Sequence, residues 1–260
     1  MEPNAFHREF HHACSVGDMP KIHEAIATGR LNVEDLDAGL KQATLMSHAD
    51  AVATLFDAGA RVSAGATGCL HGKDFHQDPR IVRLFLDNGL DPNARISSGE
   101  PLLPMIFNPS AAAVLLSAGA DPNLRGPRGV PPLGSVIVST QEPDTSMLEL
   151  YLEHGAKLES NLLFYSVAPR IQQRELMTRF LLDRGADPNV TSDEWGTPLH
   201  LAARHGKVEI VKMLLEAGAD PTVLSVGRRI GKKTPAQVAE HVGHTETREA
   251  ILSLFQGYSR

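Results

Sequence analysis

An all-α array of about eight stacked helix-turn-helix repeats, joined by short turns or β-hairpin fingers, is the fold class that these 260 residues predict. Three observations predict it. Gly29, Gly59, Gly89, Gly119, Gly155, Gly185 and Gly218 recur at spacings that subtraction of their numbers gives as 30, 30, 30, 36, 30 and 33. The stretch before each glycine is apolar at i, i+3 and i+4, as in Leu55-Phe56-Asp57-Ala58-Gly59 and Leu214-Leu215-Glu216-Ala217-Gly218, the pattern of a helix that closes on a left-handed C-cap. Finally, 42% of the chain is hydrophobic but only 5% aromatic, so the core is built from Ala, Leu, Val and Ile, which suits close helix packing and argues against an all-β fold.

The elements follow in order. Each closing glycine leads into a turn, written Asp91-Pro92-Asn93, Asp121-Pro122-Asn123, Asp187-Pro188-Asn189 and Asp220-Pro221-Thr222. Leu199 stands at a fixed offset before Gly218, and the same offset before Gly29, Gly59 and Gly89 places Phe10, Leu40 and Leu70 at one register in the first helices. The repeat closing at Gly119 is trimmed, with Leu102 two positions nearer its glycine. In the next, Gln141-Glu142-Pro143-Asp144 lengthens the loop between helices, and the first helix of the repeat closing at Gly185 is placed within residues 161–168. The chain divides as a single domain into an N-terminal cap repeat 1–30, then 31–60, 61–90, 91–120, 121–156, 157–186, 187–219 and a C-terminal cap repeat 220–260. Caps are required because an internal repeat buries a face against each neighbour.

The clearest repeat reads Thr197-Pro198-Leu199-His200-Leu201-Ala202-Ala203 and closes on Gly218-Ala219-Asp220. It closely resembles an ankyrin repeat, and the resemblance extends in weaker form over residues 5–257. What it implies is a finger and two antiparallel helices per repeat, with a partner bound by finger tips and the exposed side of the first helices. It also implies an intracellular, mainly eukaryotic setting. His11, His71 and His200 fall in the slot where this family hydrogen-bonds turn backbone. No catalytic chemistry comes with such a fold, so function has to be argued from the surface.

That surface begins at the ends of the first helices. Leu45, Met46, Phe75 and Phe107 stand where the family commonly carries solvated polar residues; they either form an apolar groove for a partner peptide or turn into the core between helices. His76, Arg204 and His205 share this register. Trp195, the only tryptophan, follows Glu194 in a finger and is either a hot spot for a partner or packing between fingers. The last finger is longer and carries Arg228, Arg229, Lys232 and Lys233, a basic cluster for an acidic partner or a solvated loop.

Other chemistry is weak or excluded. Thirty-one acidic residues against 25 Lys and Arg give a net charge of -6 and no case for nucleic acid. Cys14 and Cys69 are too few for a disulfide framework or a zinc finger and read as small buried hydrophobes. His7 and His11 sit four apart, but Glu9 is at the wrong position for a zincin helix, and Gly126-Pro127-Arg128-Gly129 is not followed by the Lys-Ser/Thr of a phosphate loop. No basic n-region with an apolar stretch opens the sequence, and no run is long enough to span a membrane. The expectation is a monomeric cytoplasmic or nuclear scaffold or adaptor that needs no cofactor or metal and binds a protein or peptide. The alternative is an atypical enzyme or small-ligand binder with a Phe- and His-lined pocket in the groove. Recruitment of degradation or signalling machinery would have to reside in the groove itself, because the repeats occupy the 260 residues.

Overall fold

The computed structural model describes residues 3–72, 77–169 and 171–258. These form helices α1 (Pro3–Val16), α2 (Met19–Ala27), α3 (Val33–Leu45), α4 (Ala49–Asp57), α5 (Ala64–Gly68), α6 (Pro79–Asp87), α7 (Pro109–Ser117), α8 (Pro132–Ser139), α9 (Ser146–Glu153), α10 (Leu162–Val167), α11 (Arg174–Asp183), α12 (Pro198–Arg204), α13 (Val208–Glu216), α14 (Pro235–Ala239) and α15 (Thr245–Tyr258). Extended pairing among the described residues is limited to two antiparallel bridges, Arg95 with Pro101 and Ser192 with Gly196, each inside a finger. The chain is all-α with short turns, as its spacing predicts.

The helices end as the sequence requires. All seven closing glycines have φ between 64° and 98°, a region that costs a residue with a Cβ. In the six repeats that close at Gly59 to Gly218, the N–H after the glycine donates to the carbonyl five residues earlier at 2.9–3.0 Å, the six-to-one bond of a Schellman cap. The acceptors are Leu55, Phe85, Leu115, Tyr151, Leu181 and Leu214, all buried to 1% exposure or less. Each such Leu removed from water stabilises the fold by about 2 kcal/mol. One sequence position thus serves both as a packing anchor and as the acceptor that ends its helix.

The helices gather into two compact units. The first comprises Met1–Pro132 and Glu149–Ala156, the second Leu133–Leu148 and Lys157–Arg260. Within the first, α1 packs on α3 and α3 on α5, while α2, α4, α6 and α7 stack in succession. Within the second, α10, α12 and α14 form one layer and α11, α13 and α15 the other. In each unit, therefore, first helices pack on first helices and second on second, and fingers and helix ends from successive repeats come to lie side by side.

The Asp-Pro-Asn turns lock this stacking. Asp91, Asp121 and Asp187 each accept the N–H two residues on at 2.8 Å, closing an Asx turn. The Asn then reaches the next repeat. Asn189 donates to the Gly218 carbonyl at 3.0 Å and accepts the Asp220 N–H at 2.8 Å, and Asn93 makes the same pair with Gly119 and Asp121. The terminal amide supplies one donor and one acceptor, so it satisfies two backbone groups that the closing turn leaves open.

Two repeats depart from the expected register. In residues 91–120 the first helix is reduced to a 3-10 turn, Leu103–Met105. Pro101, Pro104 and Pro109, close together in sequence, remove the N–H groups and α conformations that a longer helix needs. In residues 61–90, α5 runs into a 3-10 turn, Cys69–His71, whose end lies four positions further ahead of Gly89 than Arg204 lies ahead of Gly218. Leu70 and His71 thus close the first helix of that repeat instead of opening it.

Candidate functional site

The second unit presents the best-defined finger pair. Ser192 and Gly196 exchange N–H···O bonds of 2.7 and 3.0 Å, so Asp193, Glu194 and Trp195 form the tip of a tight hairpin. The last finger lies along it: the N–H groups of Arg228 and Arg229 donate to the carbonyls of Asp193 and Glu194, both at 2.9 Å. Gly227 makes that approach possible. A Cβ placed there would meet Gly196 N at 2.5 Å and Glu194 C and O at 2.7 Å. Behind the fingers, Ser225 N–H and His200 Nε2 share the Lys233 carbonyl at 2.9 Å each.

His200 is fully buried. Its Nδ1 accepts the Thr197 N–H at 3.2 Å, which leaves the proton on Nε2 for Lys233. His200 therefore has the turn-bonding role that the resemblance implies. The His71 ring makes only a local contact with the Gly68 carbonyl, and His11 Nε2 is buried without a partner. Burial is the larger cause that holds His200 below its ordinary 6.5, against the pull of backbone hydrogen bonds. A folded-state pKa below the unfolded one means that the unfolded chain takes up the proton first. The stabilising contribution is complete above about pH 6.5 and declines as pH falls through the folded value. The melting temperature is therefore expected to drop between pH 7.5 and 5.5 with a slope that flattens in His200→Gln; an unchanged slope would remove His200 from the account.

Trp195 is half-buried and packs against the second unit's core, with the guanidinium of Arg229 5.0 Å and that of Arg204 5.7 Å from its ring centroid. Arg229 also pairs with Glu194, Nε to Oε2 at 3.2 Å. Arg228, Arg229 and Lys232 are exposed and Lys233 is half-buried, so the basic cluster divides: Arg229 is in an ion pair, Lys233 is partly covered beside His241, and Arg228 and Lys232 stand in solvent. His205 is half-buried; burial first, then the cations Arg204, Lys207 and Arg174, hold its pKa below the ordinary value.

In the first unit, Leu45, Met46 and Phe107 are half-buried. Phe75 and His76 lie outside the described residues. The exposed apolar residues at the same helix-end register are Val16 (52%) and, in the second unit, Val138 (53%). The aromatic residues drew the sequence reading, but it is these smaller side chains that stand most open. The last finger adds Leu224 (57%) and Val226 (71%), exposed on either side of buried Ser225. Alternation along an extended finger is the signal that could have identified them.

Sequence reasoning also passed over Gln77, which is 6% exposed. Its Oε1 accepts the N–H groups of Phe107 (2.6 Å) and Asn108 (2.9 Å), and its Nε2 donates to the carbonyls of Met105 (2.9 Å) and His71 (3.2 Å). Phe107 is thus held by its backbone to the preceding repeat.

Cys14 is buried, which pushes its thiol up to about 12, and Cys69 is half-buried. Among the described residues no three His, Cys, Asp or Glu side chains gather to hold a metal ion. No helix among them is long and apolar enough to cross a membrane.

Comparison with known proteins agrees with this construction. The family model for ankyrin repeats (many copies) matches residues 165–215. A putative ankyrin repeat protein of fowlpox virus is 31% identical over 157 residues, 57% of this chain and 81% of the viral protein. An ankyrin repeat and KH domain-containing protein of Caenorhabditis briggsae is 45% identical over 114 residues, 41% of this chain but 4% of that much longer protein. The human ASB11 ankyrin repeat domain shares the fold, with a TM-score of 0.56 at 20% identity over 94% of this chain and 96% of that one. Ankyrin repeats are generally protein-protein interaction modules, and the fold is typically non-catalytic. With its closing glycines, stacked helix pairs and a Thr-Pro-Leu-His turn bonded by His200, this chain belongs to the ankyrin repeat family.

Proposed function

We propose that this chain is a non-catalytic scaffold or adaptor that binds a partner protein or peptide through its finger tips and the ends of its first helices. The observation that carries the reading is the bracing of the last two fingers. Two backbone donors of one finger are satisfied by two backbone acceptors of the other, so Leu224, Val226 and Arg228 are displayed on a frame that is already ordered. Preordering reduces the entropy lost on binding, which suits a recognition surface. Leu45, Met46 and Phe107 of the first unit, with Trp195, Arg204 and His205 of the second, are the side chains this reading assigns to contact.

Affinity capture with the wild-type chain beside a Met46→Ala, Phe107→Ala, Trp195→Ala triple variant tests it. A contact residue of hot-spot strength contributes about 2 kcal/mol, roughly thirtyfold in affinity, so captured partners should fall well below a tenth of the wild-type amount. Glu209→Ala with Lys212→Ala, both exposed on α13, should leave capture unchanged. Wild-type capture by a triple variant with native circular dichroism would refute the assignment.

A further inference from the structure

The end of α12, the last finger and the end of α14 border a cleft of about 450 Å³ within the second unit. A volume of that size matches a small-molecule site or a few residues of a bound segment. Ile230 and Val238, both nearly buried, form its apolar side. Its remaining lining is basic: Arg204 and His205 from α12 and its cap, Arg229 and Lys233 from the finger, and His241 beyond α14.

The charges there are only partly answered. Arg229 has Glu194 at 3.2 Å, whereas among the described residues no carboxylate pairs with Arg204 or Lys233. The Lys233 ammonium has instead His241 Nε2 at 3.5 Å, and His241 Nδ1 donates to the Gln237 carbonyl at 3.0 Å. In a chain of net charge -6, these walls concentrate three permanent cations against one carboxylate. The excess is two positive charges, which one carboxylate would leave half answered and a dianion would balance. A polynucleotide needs cations in a continuous track, and here they are confined to one cleft.

We propose that this cleft binds a phosphate monoester, with Arg204 and Lys233 pairing to its oxygens, the guanidinium of Arg229 shared with Glu194, and Ile230 and Val238 receiving the carbon side of the ester. Guanidinium and ammonium groups suit this oxyanion, whose oxygens take charge-assisted hydrogen bonds. Two sources carry the same chemistry: a phosphorylated side chain of a protein partner and a free phosphorylated metabolite. The site lies within the second unit and shares Arg204 and His205 with the partner surface proposed above, so it deepens that reading there, while its phosphate test does not depend on the contacts at Met46 and Phe107.

Trp195 supplies the readout, since it is the only tryptophan and both Arg204 and Arg229 lie over its ring. The probes are free O-phosphoserine, a heptapeptide of neutral residues around one phosphoserine, and the same peptide unphosphorylated, each with sodium chloride at matched ionic strength. Saturable change in Trp195 emission is expected with the two phosphorylated probes and not with the unphosphorylated peptide or chloride. Tighter binding of the phosphopeptide identifies a protein source, and equal binding a metabolite. Arg204→Gln with Lys233→Gln should weaken binding at least a hundredfold, and Lys232→Gln, an exposed cation outside the lining, should leave it unchanged. Calorimetry of the same titrations provides a second readout that does not depend on the ring. Absence of saturable binding by both methods, an equal response to chloride, or wild-type affinity in the folded double variant would overturn the proposal.

Discussion

Gly227→Ala is expected to detach the last finger from its neighbour at a cost of about 3 kcal/mol, the upper part of the range for overpacking a buried site. The added methyl would stand 2.5 Å from Gly196 N and 2.7 Å from Glu194 C and O. Those atoms are backbone, and they belong to the hairpin held by the Ser192 and Gly196 pair, so no rotamer change can relieve the overlap. Separating the fingers breaks the two 2.9 Å bonds from Arg228 and Arg229 to the carbonyls of Asp193 and Glu194. Arg229 would then leave the ring of Trp195, and the emission of the only tryptophan should change with stability. Because repeat arrays unfold by neighbouring interfaces, the damage should concentrate near the substitution. Faster amide exchange across residues 219–242, with α11 protected as in the wild type, is the expected pattern. Gly243→Ala is the control, since a Cβ there meets nothing within 4 Å. Equal exchange in the two variants would show that the approach at Gly227 does not hold the fingers together.

How much of this was legible in the sequence depends on how far apart the cooperating residues lie. The closing glycine, the buried residue four positions before it and the Asx turn after it fall within one short window, so spacing alone located the helix ends. Register failed where local chemistry overrode the repeat. Prolines at 101, 104 and 109 cut one first helix to a single 3-10 turn, and the helix of residues 61–90 closes four positions early at His71. Leu45, Met46 and Phe107 are half-buried, and periodicity places them at helix ends without specifying how far they are covered. The basic cleft was not legible as a site, because Arg204, Lys233 and His241 come from separate elements and meet only when two repeats stack. A lone arginine at a helix end carries no mark of the lysine, most of a repeat further along the chain, that it will face.

Gln77 is the extreme case of a residue with a large role and no motif, and its removal should be among the most damaging single changes in the first unit. Gln77→Leu keeps much of the volume but leaves the N–H groups of Phe107 and Asn108 and the carbonyls of Met105 and His71 without the partner they have now. A buried backbone group that loses its partner costs about 1–3 kcal/mol; with relaxation across four such groups, a loss of about 3 kcal/mol follows. Gln77→Glu separates the two halves of the role. Its carboxylate still accepts from Phe107 and Asn108, but the donors to Met105 and His71 are gone, and negative charge faces two carbonyl oxygens. At neutral pH it should be at least as unstable as Gln77→Leu. Protonation restores one donor, so the folded state binds this proton more tightly than the unfolded state does, and the variant should regain stability relative to wild type as pH falls from 7.5 to 5. Urea denaturation of the three proteins at both pH values checks each step. A Gln77→Leu variant within about 0.5 kcal/mol of wild type, the size of a surface substitution, would mean that the backbone at His71 and Met105 keeps its position without the amide. If the cost appears as expected, the backbone of Phe107 is fixed from the neighbouring repeat, and the half-buried ring it presents at the helix-end register is held in place by a glutamine one repeat away.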